Sequence, residues 1–326
     1  MEELLENILF EAIEMGITDL HFKSQVEPII YARLNGEILE FKSFKIDIYI
    51  RLIGYLKYKS HLDFNQLTKP QTGSFQMTIK DHVYYFRLSY LPSNEDIHLV
   101  LRILNHTNKI TFSQLTTNSN DLDFFRKILE KESGLIIVCG PTGSGKSTTL
   151  HSFLDKLLLE NNKNILTIED PIEIYQKGLI QLQVNQNMGL SFETILEQVL
   201  RHDPDIIMIG ELRNEDSAKI AMNLSLTGHL VMTTLHASDG ISAIRRLKKL
   251  KVNEDDLTQV ILGIITQRLF YHTNTKRPFV VFEILDLNTI HSYLKGQQTT
   301  FVPLIEKIKQ YYMEGWISEK DYRKYS

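Results

Sequence analysis

The stretch that most constrains this chain is Gly140-Pro141-Thr142-Gly143-Ser144-Gly145-Lys146-Ser147-Thr148, which matches the pattern G-x-x-x-x-G-K-[ST]. An unbroken apolar run, Leu135–Val138, precedes it, and a helical pattern over Ser147–Leu159 follows. A strand–loop–helix unit of this kind wraps an anion, because small residues let successive backbone N–H groups point inward. The helix behind the loop turns its positive end toward the same anion. Lys146 is expected to reach the β- and γ-phosphates of a nucleotide, and Ser147 to offer its hydroxyl to Mg2+.

The apolar run ahead of the loop also predicts a sheet type. Strands covered on both faces read as continuous apolar segments, the mark of a parallel sheet. Ile165–Ile168, Ile206–Ile209 and Leu230–Thr234 have the same character. Helical patterns over Phe192–Arg201, Glu215–Leu226 and Gly240–Leu250 alternate with them, which is the order of an α/β domain. The tail, Asp255–Ser326, reads as mostly helical with one strand near Phe279–Ile284.

In an open parallel sheet, ligands bind outside the carboxyl ends of the strands. Two acidic groups fall there. Ile206–Ile209 runs through Gly210 into Glu211, read as the second Mg2+ contact, direct or through water. Glu169-Asp170-Pro171-Ile172-Glu173 follows another apolar strand, which Pro171 ends. Glu173 is assigned to activate the attacking water, with Glu169 and Asp170 in support. Taken alone, either group also reads as a solvated strand end; the phosphate loop upstream favours a site.

Thr227–Ala237 brackets a strand with His229 before it and His236 just past it, so the two cannot share one contact. His236 falls at the phosphate edge, where it can report on the γ-phosphate. His229 is read as contacting a neighbouring element. Each also reads as a structural histidine. Arg201 and Arg213 flank the Glu211 strand and read as ion-pair partners there. Arg245-Arg246-Leu247-Lys248-Lys249 reads as a solvated helix face, with a subunit or nucleotide contact as the alternative.

Residues 1–105 have a different pattern. Leu4, Leu5, Ile8, Leu9, Ala12 and Ile13 recur at helical spacing, and Gly16 can end that helix. Short strands follow around Leu20 and Phe22, over Ile29–Leu34 and over Glu37–Phe41, with Asn35-Gly36 supplying a two-residue hairpin turn. A helix over Ile46–Tyr58 precedes strands over Ser74–Ile79, Val83–Leu91 and Ile97–Leu104. This is a small α+β unit with a mostly antiparallel sheet. The Thr-, Asn- and Ser-rich residues 106–120 read as a linker, leaving 121–326 for the nucleotide-binding domain with its helical C-terminal region. Arg87 and Arg102 lie on strands of the first unit. A two-domain nucleotide site takes positive charge from outside the loop domain, which makes them candidates for neutralising transition-state charge. An exposed strand arginine also reads as a solvated face.

Composition narrows the function classes. A chain of 326 residues makes about two domains. With 36 Lys and Arg against 40 Asp and Glu, the formal net charge is −4, so no direct nucleic-acid contact is expected. One Cys excludes an intrachain disulfide and a four-cysteine zinc site within the chain, and no zinc is expected. No apolar run approaches the ~18 residues of a membrane span. Met1–Gly16 carries Glu2, Glu3, Glu6, Glu11 and Glu14 without Lys or Arg, unlike a signal peptide. A cytoplasmic location is expected.

Taken in order, these stretches resemble a known family. Gly140–Thr148, Thr167-Ile168-Glu169-Asp170-Pro171-Ile172-Glu173, Leu200–Arg213 and Thr227–Ala237 are similar to the Walker A, Asp box, Walker B and His box of the secretion ATPases of type II secretion and type IV pili. Thr18-Asp19-Leu20-His21 resembles that family's opening SDIH stretch. Phe86-Arg87-Leu88-Ser89 and Leu99–Leu104 resemble its arginine-bearing strands. The resemblance covers nearly the whole chain. Exporting and pilus-extending relatives carry a longer N-terminal region and a four-cysteine zinc insert after the stretch Gln-Arg-Leu. Here Gln267-Arg268-Leu269 runs into Phe270-Tyr271-His272-Thr273 and then Arg277-Pro278 without a Cys. Retraction motors lack that insert too. The short form resembles the late-competence ATPase of Gram-positive bacteria. Asn214 stands where the family usually has Asp after Arg213, which puts an ion pair there in doubt.

The resemblance implies a RecA-like P-loop ATPase domain with a parallel sheet, preceded by a small α+β, PAS-like domain. It implies an Mg2+-dependent ATP hydrolase working as a homohexameric ring, with nucleotide between the two domains and Arg87 and Arg102 completing the site. Such a ring acts at the inner face of the cell membrane on a polytopic platform protein, and on pilins only through it. The expected function is assembly of a type IV-like competence pseudopilus for DNA uptake. A retraction motor, a type II secretion ATPase, and a nucleotide-binding scaffold or regulator without turnover are the alternatives.

Overall fold

The computed structural model describes residues 1–23, 28–34, 37–66, 68–92, 97–104, 110–160, 163–184, 195 and 198–325. They fall into two compact units, Met1–Asn108 and Lys109–Ser326.

The first unit runs α1 (Glu2–Glu14), β1 (Asp19–Lys23), β2 (Ile29–Leu34), β3 (Glu37–Ser43), α2 (Ile46–Lys59), β4 (Gln71–Ile79), β5 (His82–Pro92) and β6 (Ile97–Leu104). Its six strands form an antiparallel sheet in the order β3-β2-β1-β6-β5-β4. α1 buries Leu5, Ile8, Leu9 and Ala12, the stripe its sequence spacing predicts. Gly16 ends it at φ +74°, donating its N–H to Ile13 O while Ile17 donates to Ala12 O. Side chains alternate along the strands, so Leu20, Phe22, Phe86, Leu88, Leu101 and Ile103 join α1 and α2 in one core. Asp19, Arg87 and Arg102, one residue out of step, take the opposite face. The Asn35-Gly36 turn lies outside the described residues; β2 and β3 pair antiparallel on either side of it.

The second unit runs α3 (Ser119–Leu129), β7 (Gly134–Cys139), α4 (Lys146–Glu160), β8 (Ile165–Glu169), β9 (Ile180–Gln183), β10 (Ile206–Ile209), α5 (Glu215–Leu226), β11 (Leu230–Leu235), α6 (Gly240–Lys249), α7 (Glu254–Val260), β12 (Ile261–Tyr271), β13 (Pro278–Asp286), α8 (Leu287–Leu294), α9 (Leu304–Met313) and α10 (Glu319–Tyr322). Its seven strands are ordered β13-β12-β7-β11-β10-β8-β9. All pair in parallel except β13, which lies antiparallel along β12. Helices cover both faces. Leu135, Ile137, Ile207 and Val231 pack with Ala218, Ile244 and Leu257 on one side. Ile136, Val138, Met208 and Met232 pack with Phe125, Leu150 and Phe153 on the other. The continuous apolar strands are explained by this double burial. No helix among the described residues is long and apolar enough to cross a membrane.

Three readings are corrected. The tail is not mostly helical from Asp255: β12 occupies Ile261–Tyr271 and extends the sheet beside β7. β9 is an added edge strand that its mixed sequence did not announce. Within the stretch read as a linker, Leu115 is buried and Ile110 and Phe112 pack on the second unit's core, so the described part is anchored by its apolar residues. Half of the helix read over Phe192–Arg201 lies outside the described residues; Ile195, Gln198 and Val199 are helical and Leu200–His202 forms a 3-10 turn.

Candidate nucleotide site

The loop begins where β7 ends at Cys139, and α4 starts at Lys146. Gly140 holds φ +152°, and an added Cβ there would stand 2.5 Å from Ser144 Oγ and 2.7 Å from Gln267 O. No side chain fits between the loop and β12. Pro141, Thr142 and Gly143 form the exposed tip, while Ser144 is buried and Gly145, Ser147 and Thr148 are half-buried. β12 supports the loop from behind. Gln267, fully buried, donates from Nε2 to Ser144 O at 2.6 Å. Arg268 donates to Gln267 O at 3.0 Å and to Ser238 O at 2.7 Å.

Lys146 Nζ lies within the loop, donating to Gly140 O at 3.0 Å and Pro141 O at 3.1 Å. Burial pushes its pKa down; the fields of Glu211 and Glu173 oppose that shift, so both carboxylates lie close to the ammonium. Ser147 Oγ donates to Glu173 Oε2 at 2.6 Å. The loop lysine, the loop serine and the two assigned acids therefore share one locality.

Sheet order explains the convergence. β11, β10 and β8 lie beside β7 in that sequence, and parallel pairing turns their carboxyl ends to one edge. His236 follows β11, Glu211 follows β10, and Glu169–Glu173 follow β8. His236 Nε2 stands 3.4 Å from Glu211 Oε1. Arg213 Nε lies 2.9 Å from Glu211 Oε2, and its Nη1 lies 2.7 Å from Asp170 Oδ2, so one guanidinium ties two strand ends together. For Arg201 no ion pair is found among the described residues. Glu169 does not face the loop. It is buried, accepting from Thr167 Oγ1 at 2.7 Å and Gln181 Nε2 at 3.1 Å. Asn214 caps α5, its Oδ1 accepting from Ser217 N at 3.0 Å, a task that needs no charge.

His229 lies apart from the other site candidates. It sits at the amino end of β11, its Nδ1 within 3.2 Å of Thr227 Oγ1 and 3.1 Å of Leu224 O. The strand's six residues put it roughly 20 Å from His236 and the phosphate edge. In the first unit, Arg87 and Arg102 are cross-strand partners. Arg102 Nε donates to Asp19 Oδ1 at 2.7 Å, and Thr18 Oγ1 donates to Asp19 Oδ2 at 2.8 Å. Asp19 is 5% exposed and Arg102 60%, so a buried carboxylate aims an exposed guanidinium. On α6, Arg245 reaches Tyr293 Oη at 3.3 Å and Lys248 pairs with Glu254 at 2.7 Å.

Sequence reasoning missed two supports of the site. Gln267 was visible only as part of the Gln-Arg-Leu stretch, with no signal that its amide would hold the loop. His151, Gln176 and Gln181, which fill a buried space behind Glu173, matched no motif.

Known proteins resemble this chain over most of its length. Residues 1–295 match the family described as Type II/IV secretion system protein. The competence protein ComGA of Bacillus subtilis is 34% identical over 270 residues, covering 82% of this chain and 76% of that protein. The type II secretion system ATPase E of Vibrio cholerae is 35% identical over 269 residues; the match takes in 82% of this chain but 53% of that protein, about half its length. A crystal structure of the pilus retraction motor PilT with bound ADP superposes with a TM-score of 0.79 at 26% identity, covering 99% of this chain and 96% of that one. On these matches the chain belongs to the type II/IV secretion system proteins and is an ATP-hydrolysing enzyme of that family.

Proposed function

We propose that this ATPase is the motor of a type IV-like competence pseudopilus, driving its assembly for DNA uptake. The observation that carries the reading is the match to a competence protein, which spans most of both chains, whereas the type II relative is matched over half its length. β12 and β13, joined by the short segment 272–277, fit a short form without a four-cysteine insert.

The substrate is ATP, its phosphates wrapped by Gly140–Thr148 with Lys146 against the β and γ groups. The loop is suited to a hard cation as well as to an anion: Ser147 and Glu211 offer oxygen donors beside the lysine, the donor type Mg2+ prefers. Bound there, Mg2+ supplies charge compensation on the phosphate oxygens. Glu173, already hydrogen-bonded to Ser147, orients and deprotonates the attacking water. His236 senses the γ-phosphate through Glu211 and passes its presence into β11. Arg87 and Arg102 bring positive charge from the first unit to the transition state. His229, on the far end of β11, serves a contact with a neighbouring element in place of chemistry. The working form is a homohexameric ring in the cytoplasm, docked on a polytopic platform protein at the inner face of the membrane, with pilins reached through that platform. Nucleotide binding, hydrolysis and release convert chemistry into motion.

A retraction motor is the second reading, favoured by the likeness to PilT over nearly the whole chain. Lys146→Ala at the native locus separates the two when DNA uptake and surface pili are scored together. An assembly motor loses both. A retraction motor loses uptake and accumulates pili. Normal uptake overturns the competence reading.

A further inference from the structure

Behind the phosphate loop, α4 carries three polar side chains on one stripe. Ser147, His151 and Asp155 recur every four residues, one per helical turn. Each meets the segment that follows β8. Ser147 Oγ donates to Glu173 Oε2 at 2.6 Å. His151 Nδ1 lies 2.8 Å from Gln176 Oε1, and Gln176 Nε2 donates to Asp155 Oδ1 at 2.5 Å. His151 and Gln176 are buried.

The donors in this ladder run one way. An ionised Asp155 only accepts, so the Gln176 amide nitrogen faces it and the amide oxygen faces His151. His151 Nδ1 therefore donates to that oxygen, while its buried Nε2 makes no hydrogen bond and stands 3.8 Å from Glu169 Oε2. The backbone is fixed as well. Gln176 N donates to Gln181 Oε1 at 2.7 Å, and Gln181 Nε2 donates to Ile174 O at 2.9 Å and to Glu169 Oε1 at 3.1 Å. The chain is thus held at Ile174 and at Gln176, just after Glu173. Apolar packing of α4 is already supplied by Leu150, Phe153, Leu154 and Leu157. Burying a further row of polar groups is costly, and what such a row adds is direction.

We propose that His151 and Gln176 are positioning residues that fix the Glu173 carboxylate against the first turn of α4. The inference rests on Glu173 orienting the attacking water, as read above. Neither His151 nor Gln176 belongs to Gly140–Thr148, so changing either is expected to alter the chemical step and leave nucleotide affinity alone. A displacement of the order of 1 Å in a group that orients water costs up to about a hundredfold in rate.

The test is a cycle in the full-length protein, reading steady-state ATP turnover and nucleotide dissociation constant together. His151→Leu is expected to lower kcat by about tenfold to a hundredfold with the dissociation constant unchanged within about twofold. His151→Asn, whose amide nitrogen stands in for Nδ1, is expected to recover most of the rate. In the Glu173→Gln background, His151→Leu is expected to lower turnover no further, since the group it positions is already disabled. Equal losses in both backgrounds, an unchanged kcat, or a parallel loss of affinity would overturn the proposal. Should His151→Leu not fold, Gln176→Met keeps the volume, removes the same rungs and runs through the same cycle. Failure of the underlying reading has its own signature, full turnover in Glu173→Gln alone.

Discussion

Gly140 sets how closely β12 can support the phosphate loop. A methyl group there meets both Ser144 Oγ and Gln267 O well inside contact distance, at a φ few L-residues adopt. At Gly143, φ is +78° and nothing lies within 4 Å of the added carbon. Gly140→Ala is therefore expected to cost about 3 kcal/mol of stability, strain and overpacking together. Gly143→Ala is expected to cost about 1 kcal/mol, strain alone. Urea midpoints of the two variants check this, and equal costs would mean that Ser144 and Gln267 yield freely. At this scale the sequence was legible wherever a residue acts through its own chemistry. Lys146 and Ser147 belong to the G-x-x-x-x-G-K-[ST] spacing, and Glu173 and Glu211 follow apolar runs that announced their strands. Gln267 and His151 act through shape and hydrogen-bond direction, and those depend on neighbours far along the chain. Glu169 was legible as an acid at the right edge but not as a buried one, because adjacent residues leaving a strand point to opposite sides.

α2, α4, α5 and α6 and the strands β7, β8, β10 and β11 were read within a residue or two, where burial imposed a period. β12 escaped for a physical reason. A short apolar run such as Val260–Ile265 suits either a strand or a buried helix, and periodicity cannot separate them. Its continuation, Thr266-Gln267-Arg268, is polar yet buried; Gln267 serves the loop and Arg268 the turn after β11. The described end of the stretch read as a linker escaped likewise, its few apolar residues being outnumbered by polar ones. Between elements, one ring of α3 touches both α4 and the sheet. Phe125, fully buried, lies 5.2 Å from Phe153 on α4 and 5.2 Å, edge-on, from Phe282 on β13. Phe125→Ala removes both contacts and leaves a cavity between a helix and the sheet. A loss of about 3–5 kcal/mol is expected, read as a lowered urea midpoint with the slope unchanged. A loss below about 1 kcal/mol would mean that α3 collapses into the space.

At the scale of the whole molecule, the two units have separate cores. That of the first, built from α1, α2 and one face of the antiparallel sheet, is complete in itself. Expressed alone, this unit is expected to unfold cooperatively in urea. Its stability is also expected to carry a pH signature, from His21 on β1. Burial pushes the His21 pKa down. Arg33, Lys23 and Arg102 press in the same direction, and Asp19 opposes them. A histidine with a depressed pKa favours the neutral ring in the folded state, while the unfolded chain takes up its proton near about pH 6.5. The stability is therefore fully present above that value and is lost as pH falls from it toward the folded pKa. Urea midpoints of the isolated unit between about pH 8 and pH 5 give the slope, and His21→Asn, which does not titrate, is expected to flatten it. An unaltered slope in that variant would assign the acid sensitivity to other groups. A broad, uncooperative transition at every pH would mean that the first unit's core is sufficient only with the second unit present.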